Sequence, residues 1–160
     1  MDKTLLLKQI IDELEAVYQG AIDAAMLAYN TATHGENVAE NKYDTLGLEA
    51  AYLAQGQAQR VDECKADLTA FRKLIATNFP PDKAIAIGAL ITIKDRQGAE
   101  QSLFLGPAAG GLKLIFQQKN IMLITPVAPL GKALMGHIAD DEIEMNVGGH
   151  KQHYEITTIC

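Results

Sequence analysis

The sequence is short of the residues on which several classes of protein depend. It has no tryptophan and only two cysteines, and its 14 lysines and arginines are outnumbered by 20 aspartates and glutamates, giving a formal net charge of -6. Binding to duplex phosphates needs clustered cations, so we expect no duplex DNA binding by the chain alone. Cys64 and Cys160 are far apart in sequence, which indicates free thiols and not a disulfide framework or a thiolate metal site.

Long apolar runs are missing as well. No segment approaches the roughly 20 apolar residues that a membrane-spanning helix needs, and residues 1–15 form a mixed-charge amphipathic segment without the core of a signal peptide. These absences predict a cytoplasmic protein with no membrane partner. With 48% hydrophobic and 21% charged residues, the composition is typical of one or two small globular domains.

The first half of the chain carries two apolar repeats with helical spacing. Apolar or small residues recur at alternating steps of three and four in two series: Leu7, Ile10, Leu14, Val17, Ala21, Ala24 and Ala28, then Ala50, Ala54, Gln57, Val61, Cys64, Leu68, Phe71 and Ile75. Between the series, Gly35 and Asn37 are typical turn residues. The pattern predicts an antiparallel coiled-coil hairpin over residues 1–77, with its tip near residues 34–42.

Two adjacent prolines end the helical pattern. Pro80 and Pro81 lack backbone donors and disfavour helix, so residues 78–83 are predicted to link the hairpin to a second domain over residues 84–160. That domain has short apolar runs separated by turns, which predict strands at residues 84–93, 101–106, 112–116, 121–125, 142–147 and 154–159. Residues 130–137 are predicted as a short helix, so the fold class is α+β.

The second domain also contains a recognisable string of residues. The run Ile-Thr-Pro-Val-Ala-Pro-Leu-Gly-Lys-Ala-Leu-Met-Gly-His at residues 124–137, followed by Asp-Asp-Glu-Ile at 140–143, resembles the C-terminal signature of the GreA/GreB transcription elongation factors. Gly148-Gly149 with Tyr154-Glu155-Ile156 is similar to the last hairpin of that family. His34-Gly35-Glu36 with Glu40-Asn41 resembles the tip of its N-terminal coiled coil.

The resemblance implies a fold and a partner. It implies an FKBP-like C-terminal domain that docks on RNA polymerase, and a coiled coil that enters the secondary channel of the polymerase to reach the active centre. It also implies that docking involves the signature region, where the candidate partner-binding residues are Pro129, Leu130, Gly131, Lys132 and Leu134. Apolar residues in a short helix are equally compatible with a place in the core, so this alternative stays open for Leu130, Leu134 and Met135.

The resemblance further assigns chemistry to the predicted tip. Tip carboxylates in the family help to hold a second Mg²⁺ ion and a water molecule for transcript cleavage, the cutting of backtracked RNA. Glu36 and Glu40 are the expected pair, with Asp44 and His34 as further candidates, since Mg²⁺ prefers oxygen ligands and RNA hydrolysis uses two metal ions. The same glutamates would also be favourable at the positive N-terminal end of the second helix without any such role.

The tip departs from the family pattern in three ways. The first acid is Glu where the family has Asp, three residues instead of two separate the acids, and Ala32 and Thr33 stand where the family has an Arg. A second interpretation is therefore a regulator or inhibitor that occupies the channel without stimulating cleavage. In both cases we expect an accessory factor and not an enzyme, with no cofactor of its own, the Mg²⁺ of RNA polymerase at its tip, and only indirect contact with the nascent RNA 3′ end.

A third interpretation is a prolyl isomerase or chaperone built on the FKBP-like fold. The binding pocket of such a protein needs an aromatic lining. The second domain offers only Phe104, Phe116 and Tyr154, so this interpretation is disfavoured.

Overall fold

The computed structural model of the chain describes residues 1–34 and 46–160, with the backbone alone described for Leu46. Within these residues, two long helices, α1 (Lys3–Thr33) and α2 (Leu46–Arg72), are followed by a sheet and a short helix. The later elements are β1 (Leu90–Asp95), β2 (Glu100–Leu105), β3 (Lys113–Phe116), β4 (Lys119–Ile124), α3 (Pro129–Leu134), β5 (Glu142–Val147) and β6 (His150–Ile159). The predicted fold class, a helical hairpin followed by a β-sheet domain with one short helix, is confirmed.

The chain divides into two compact units. One, the hairpin unit, is Ile11–Arg72, and the other, the sheet unit, joins Met1–Ile10 to Lys73–Cys160. Helix α1 therefore contributes its first turns to the sheet unit and the rest of its length to the hairpin unit. No helix in the described part of the chain is long and apolar enough to cross a membrane.

The hairpin unit is built on a row of buried side chains along each helix. The buried residues are Leu14, Ala21 and Ala28 in α1 and Ala50, Cys64, Leu68 and Phe71 in α2, all at positions of the predicted repeats. Arg72, the last residue of α2, pairs with Glu15 in the first half of α1, as expected for the two helices of a hairpin. Two positions of the predicted repeats are wrong: Val17 is exposed, and Ile75 lies beyond the end of α2 and is largely exposed.

The sheet unit has a single six-stranded sheet in the order β3-β4-β2-β1-β6-β5. The β2–β4 pairing is parallel and the other pairings are antiparallel. One face packs on a core that consists of Phe79, Ile85, Ala89, Ile91, Ile93, Leu103, Leu105, Ile124, Leu134, Ile143, Ile156 and Ile159. Alternate strand residues such as Phe104 and Leu123 are also buried, because side chains on a strand point alternately to the two faces of the sheet. Leu6 and Ile10 of α1 are buried as well.

The strand predictions hold to within two residues except at two ends. Strand β1 begins at Leu90, not at residue 84, since the preceding residues turn sharply: Ala89 N donates to Ala86 O at 3.0 Å, and Gly88 has a φ of +97°. Strand β6 begins at His150, earlier than predicted, because it pairs with β5 up to the contact of Val147 with His150. The turn between them is Gly148-Gly149, whose two positive φ values suit a tight hairpin.

Candidate docking surface around the short helix

The predicted site residues fall into two groups. Glu36 and Glu40, together with Asp44, lie outside the described residues. The other group, Pro129 to Leu134, forms α3 in the sheet unit. Residues 1–34 and 47–160 contain no group of three or more His, Cys, Asp or Glu side chains that could hold a metal ion.

Helix α3 follows from its local sequence. Pro129 occupies the first turn, where its missing N–H costs nothing and its fixed φ suits a helix. The segment before it turns tightly, with Ala128 N donating to Thr125 O at 3.0 Å, and Lys132 N then donates to Ala128 O at 2.8 Å. The helix stops before Gly136, whose φ of +82° is a conformation that glycine adopts easily.

Gly131 fixes how closely α3 approaches the sheet. A Cβ atom at this residue would lie 2.0 Å from the carbonyl oxygen of Thr125 and 3.4 Å from Leu105 Cδ1. No side chain fits there, so the backbone of α3 packs directly on the residue that follows β4. Leu134, one turn later, is fully buried in the core.

The five candidate residues of α3 therefore have different environments. Gly131 and Leu134 face the interior, and Leu130 is half-buried and packs against the core. Pro129 and Lys132 are exposed. The structure places Leu134 in the core. Pro129 and Lys132 are therefore the candidates whose side chains are open to a partner.

The segment after α3 is held from two sides. Ile85 N donates to His137 O at 2.8 Å, and Gly136 N donates to Ile85 O at 3.0 Å. On the other side, residues 140–141 exchange hydrogen bonds with Ile156, with N···O distances of 2.8 and 2.9 Å. The loop that flanks α3 is thereby fixed to the sheet.

Asp141 and His137 add side-chain contacts within this loop. Asp141 Oδ2 accepts from the backbone N–H of Ile138 at 3.0 Å and lies 2.9 Å from His137 Nδ1. The Ile138 N–H, and after it the His137 side chain, hold the pKa of Asp141 below its ordinary value. The Asp141 carboxylate therefore makes these polar contacts within its own loop. No sequence pattern indicates this pair, apart from the Asp-Asp-Glu-Ile string in which Asp141 lies.

Large apolar side chains are exposed around α3. Val127 is 89% exposed, and Met135 and Ile138 are also exposed. We call Val127, Pro129, Lys132, Met135 and Ile138 the α3 surface. Apolar groups beside a cation suit contact with a protein.

Helix α3 lies in a part of the chain that matches a known family. Residues 80–160 match the family described as transcription elongation factor, GreA/GreB, C-terminal. Two proteins named transcription elongation factor GreA are similar over 130 residues, which is 79% of this chain and 74% of theirs: one from Trichlorobacter lovleyi at 29% identity and one from Pelobacter propionicus at 28%. A crystal structure of GreA factor homolog 1 (Gfh1) from Thermus thermophilus aligns at 17% identity with a TM-score of 0.36, covering 94% of each chain.

Proposed function

Because the chain belongs to the GreA/GreB family of transcription elongation factors, we propose that it binds RNA polymerase and stimulates cleavage of backtracked RNA by the active centre of the polymerase. In this proposal the α3 surface binds the polymerase, and the hairpin inserts into the secondary channel. Glu36 and Glu40 then reach the active centre from the tip.

The observation that carries the proposal is the family match over the residues that build α3. The physical features of α3 support it. Gly131 and Leu134 anchor the helix on the sheet, and the loop after it is hydrogen-bonded on both sides, so the exposed side chains are presented from a rigid base. Rigid presentation lowers the entropy lost on binding.

Cleavage of RNA by two metal ions needs only one or two carboxylates from the accessory protein. Mg²⁺ is usually held by one or two carboxylates together with waters and substrate phosphates. In two-metal hydrolysis one ion activates the attacking water and the other stabilises the leaving oxygen. Two acids delivered from outside are enough to complete a weak second site, so Glu36 and Glu40 act in trans on an ion that belongs to the polymerase. The isolated chain should cleave no RNA.

A backtracked elongation complex with labelled RNA tests this proposal. We expect wild-type protein to accelerate cleavage and the Glu36→Ala/Glu40→Ala variant to bind the polymerase without accelerating it. The matched control is Glu13→Ala/Asp62→Ala, which removes two exposed acids from the described parts of α1 and α2 and should keep the stimulation. Equal stimulation by wild type and the tip variant would disprove the role of the tip acids.

A second candidate is a regulator that occupies the channel without a role in cleavage. The departures at the tip favour it: three residues separate the two acids, and the Arg of the family pattern is replaced by Ala32 or Thr33. In the same assay this regulator would bind and change the elongation rate but leave cleavage unaffected. Its effect on elongation would survive the Glu36→Ala/Glu40→Ala substitution.

A further inference from the structure

The two outer edges of the sheet differ in how their backbone groups are covered. Strand β3 forms one edge of the sheet and β5 forms the other. At β3, the side-chain amide of Gln9 donates a hydrogen bond to the carbonyl oxygen of Ile115 at 2.9 Å. At β5, β6 is the only element of the described part of the chain whose backbone is hydrogen-bonded to the strand. The outer side of β5 is therefore open, and an open edge is a template for a further strand.

The register of β5 and β6 shows which backbone groups lie on this open side. The turn between the two strands has two residues, so Val147 and His150 at its ends are a hydrogen-bonded pair. Hydrogen-bonded and non-hydrogen-bonded pairs alternate along an antiparallel ladder. The N–H and C=O groups of Glu142, Glu144 and Asn146 therefore point away from β6. We call these three exposed residues the β5 edge.

The side chains of β5 alternate between polar and apolar. The two faces of the strand are occupied in turn by Glu142, Glu144 and Asn146 on one side and by Ile143, Met145 and Val147 on the other. Ile143 belongs to the core, and Val147 is 45% exposed. Residues opposite one another on paired strands lie on the same face of the sheet. The strand that fits this edge best therefore has polar and apolar residues in alternation.

The polar face of β5 has uncompensated negative charge. Glu142 lies directly opposite Glu155 of β6, and like charges in this arrangement repel each other. Neither of these two carboxylates forms an ion pair with a described residue. Glu144, in contrast, pairs with Lys151 at 3.0 Å and lies 3.5 Å from His153. A cation placed beside Glu142 from the open side would offset the repulsion.

The same acids disfavour a second copy of the chain as the additional strand. An antiparallel pair of β5 strands related by a two-fold axis would bring Glu142 and Glu144 of one copy beside those of the other. Like charges at opposite positions destabilise such a pair, and charged side chains on natural edge strands normally prevent self-association in this way. A basic strand meets no such repulsion.

We infer that the β5 edge binds an extended segment of another protein, which adds a seventh strand to the sheet and carries Lys or Arg beside Glu142 and Glu144. Backbone hydrogen bonds would supply affinity, and the alternating side chains would supply specificity. The inference goes beyond the proposed function, because it requires neither the α3 surface nor the hairpin unit.

A synthetic peptide of defined alternation tests the inference on the full chain. The probe is Thr-Lys-Val-Lys-Val-Lys-Thr, labelled with fluorescein at its N-terminus and amidated at its C-terminus, and its binding is measured by fluorescence anisotropy. Two matched peptides carry backbone N-methyl groups, one on every lysine and the other on both valines. Successive N–H groups of an extended strand point to opposite sides, so each matched peptide loses hydrogen-bond donors on one side only.

We expect the unmodified peptide to bind with a dissociation constant below about 1 mM. One methylated peptide should bind about tenfold or more weakly and the other within about threefold of the unmodified peptide, because only one side of the added strand faces β5. All three peptides have the same charge, so attraction between charges alone would not distinguish them. Equal binding of all three, or no binding of the unmodified peptide at about 1 mM, would overturn the inference.

Two variants at Asn146 test the β5 edge from the side of the protein. Asn146→Pro removes an outward N–H and no hydrogen bond of the β5–β6 ladder, and proline is tolerated at such a position of an edge strand. Asn146→Thr keeps the N–H and is the matched control. We expect the peptide to bind Asn146→Pro about fivefold more weakly, the effect of one lost hydrogen bond, and Asn146→Thr within about twofold of wild type. Equal binding by two folded variants would contradict strand addition.

A charge variant and a test of self-association complete the design. Glu142→Gln/Glu144→Gln keeps the backbone and should weaken peptide binding at low salt more than at high salt, whereas Glu13→Gln/Asp62→Asn, with two exposed acids replaced in the hairpin unit, should not. Circular dichroism verifies that each variant is folded. Sedimentation equilibrium that shows a dimer in wild type and a monomer in Asn146→Pro would assign the β5 edge to a second copy and overturn the inference.

Discussion

The side-chain amine of Lys3 donates a hydrogen bond to the backbone carbonyl of Cys160 at 2.8 Å, across 157 positions of sequence. The same amine donates to Thr77 O and lies 4.5 Å from the centre of the Phe79 ring, which Lys83 Nζ approaches at 4.4 Å. Burial lowers the pKa of Lys3 to about 8, with the charge at Cys160 opposing this shift and Lys83 adding to it. Lys3 thus ties the first turn of α1 to the end of the sheet.

The lowered pKa of Lys3 predicts a particular dependence of stability on pH. Between about pH 8 and 10.5 the unfolded chain keeps the proton on Lys3 while the folded chain releases it, so raising the pH favours the folded state. The stability of wild type relative to Lys3→Met should therefore rise over this range and be constant below it. Urea unfolding at a series of pH values measures the difference. Lys8→Met, which removes an exposed lysine from the same helix, is the matched control.

Replacing glycine by alanine should have opposite effects on stability at Gly131, which lies against Thr125, and at Gly20, which lies at an open position. Gly131→Ala places a methyl group against the Thr125 carbonyl and should lower the free energy of unfolding by about 1–3 kcal/mol. Gly20→Ala, at an open position inside α1, should raise it by about 0.5–1 kcal/mol, because alanine favours helix. Denaturant unfolding of both variants checks the pair. A neutral Gly131→Ala would mean that α3 can move away from β4 at little cost.

Substitutions at Leu134 and Lys132 of α3 should affect different properties, stability in the first case and binding in the second. Leu134→Ala removes a fully buried side chain and should lower the free energy of unfolding by about 2–5 kcal/mol. Lys132→Glu, at an exposed position, should leave the melting temperature nearly unchanged and weaken polymerase binding about threefold or more at low salt, with a smaller effect at high salt. Calorimetry and a binding titration measure the two properties. Full polymerase affinity in Lys132→Glu would remove this residue from the docking surface.

The Asp141 carboxylate predicts a loss of stability in acid. Its pKa is held below the ordinary 3.8 by the Ile138 N–H and His137, so the stabilisation it gives is complete above that value and is lost as the pH falls below it. Asp141→Asn should therefore be less stable than wild type at pH 7, and the gap should narrow in strong acid. Thermal unfolding of both proteins at pH 7 and near pH 3 would show this. Glu142→Gln, an exposed neighbour, is the control and should show no comparable gap at pH 7.

Structural features that depend on residues close together in the sequence were predictable. The repeats of three and four located the buried residues of both hairpin helices, from Leu14 to Ala28 and from Ala50 to Phe71, because one face of a helix returns at that spacing. Strand β5 followed from its apolar residues and helix α3 from the flanking prolines, although α3 ends at Leu134 and not at residue 137 as predicted. The error at residues 84–89 has a simple cause: Ile85 is apolar because it enters the core from a turn, and a short apolar run does not distinguish a turn of this kind from a strand.

Relationships across long stretches of sequence were not predictable. The parallel pairing of β2 with β4 depends on how the strands assemble and not on any one of them. A lysine near the start of a helix is normally expected to be exposed, and the acceptors of Lys3 lie 74 and 157 positions away. The need for glycine at residue 131 likewise arises only once Thr125 is placed beside it. The roles of Glu36 and Glu40 remain predictions from the family resemblance.

The composition of the two units has a consequence for synthesis on the ribosome. All residues of the hairpin unit are contiguous, so both of its helices are available once Arg72 has left the exit tunnel. The sheet unit needs Met1–Ile10 together with β6, the last strand to be made. The residues of Met1–Ile10 must therefore wait for β6 before the sheet unit is complete.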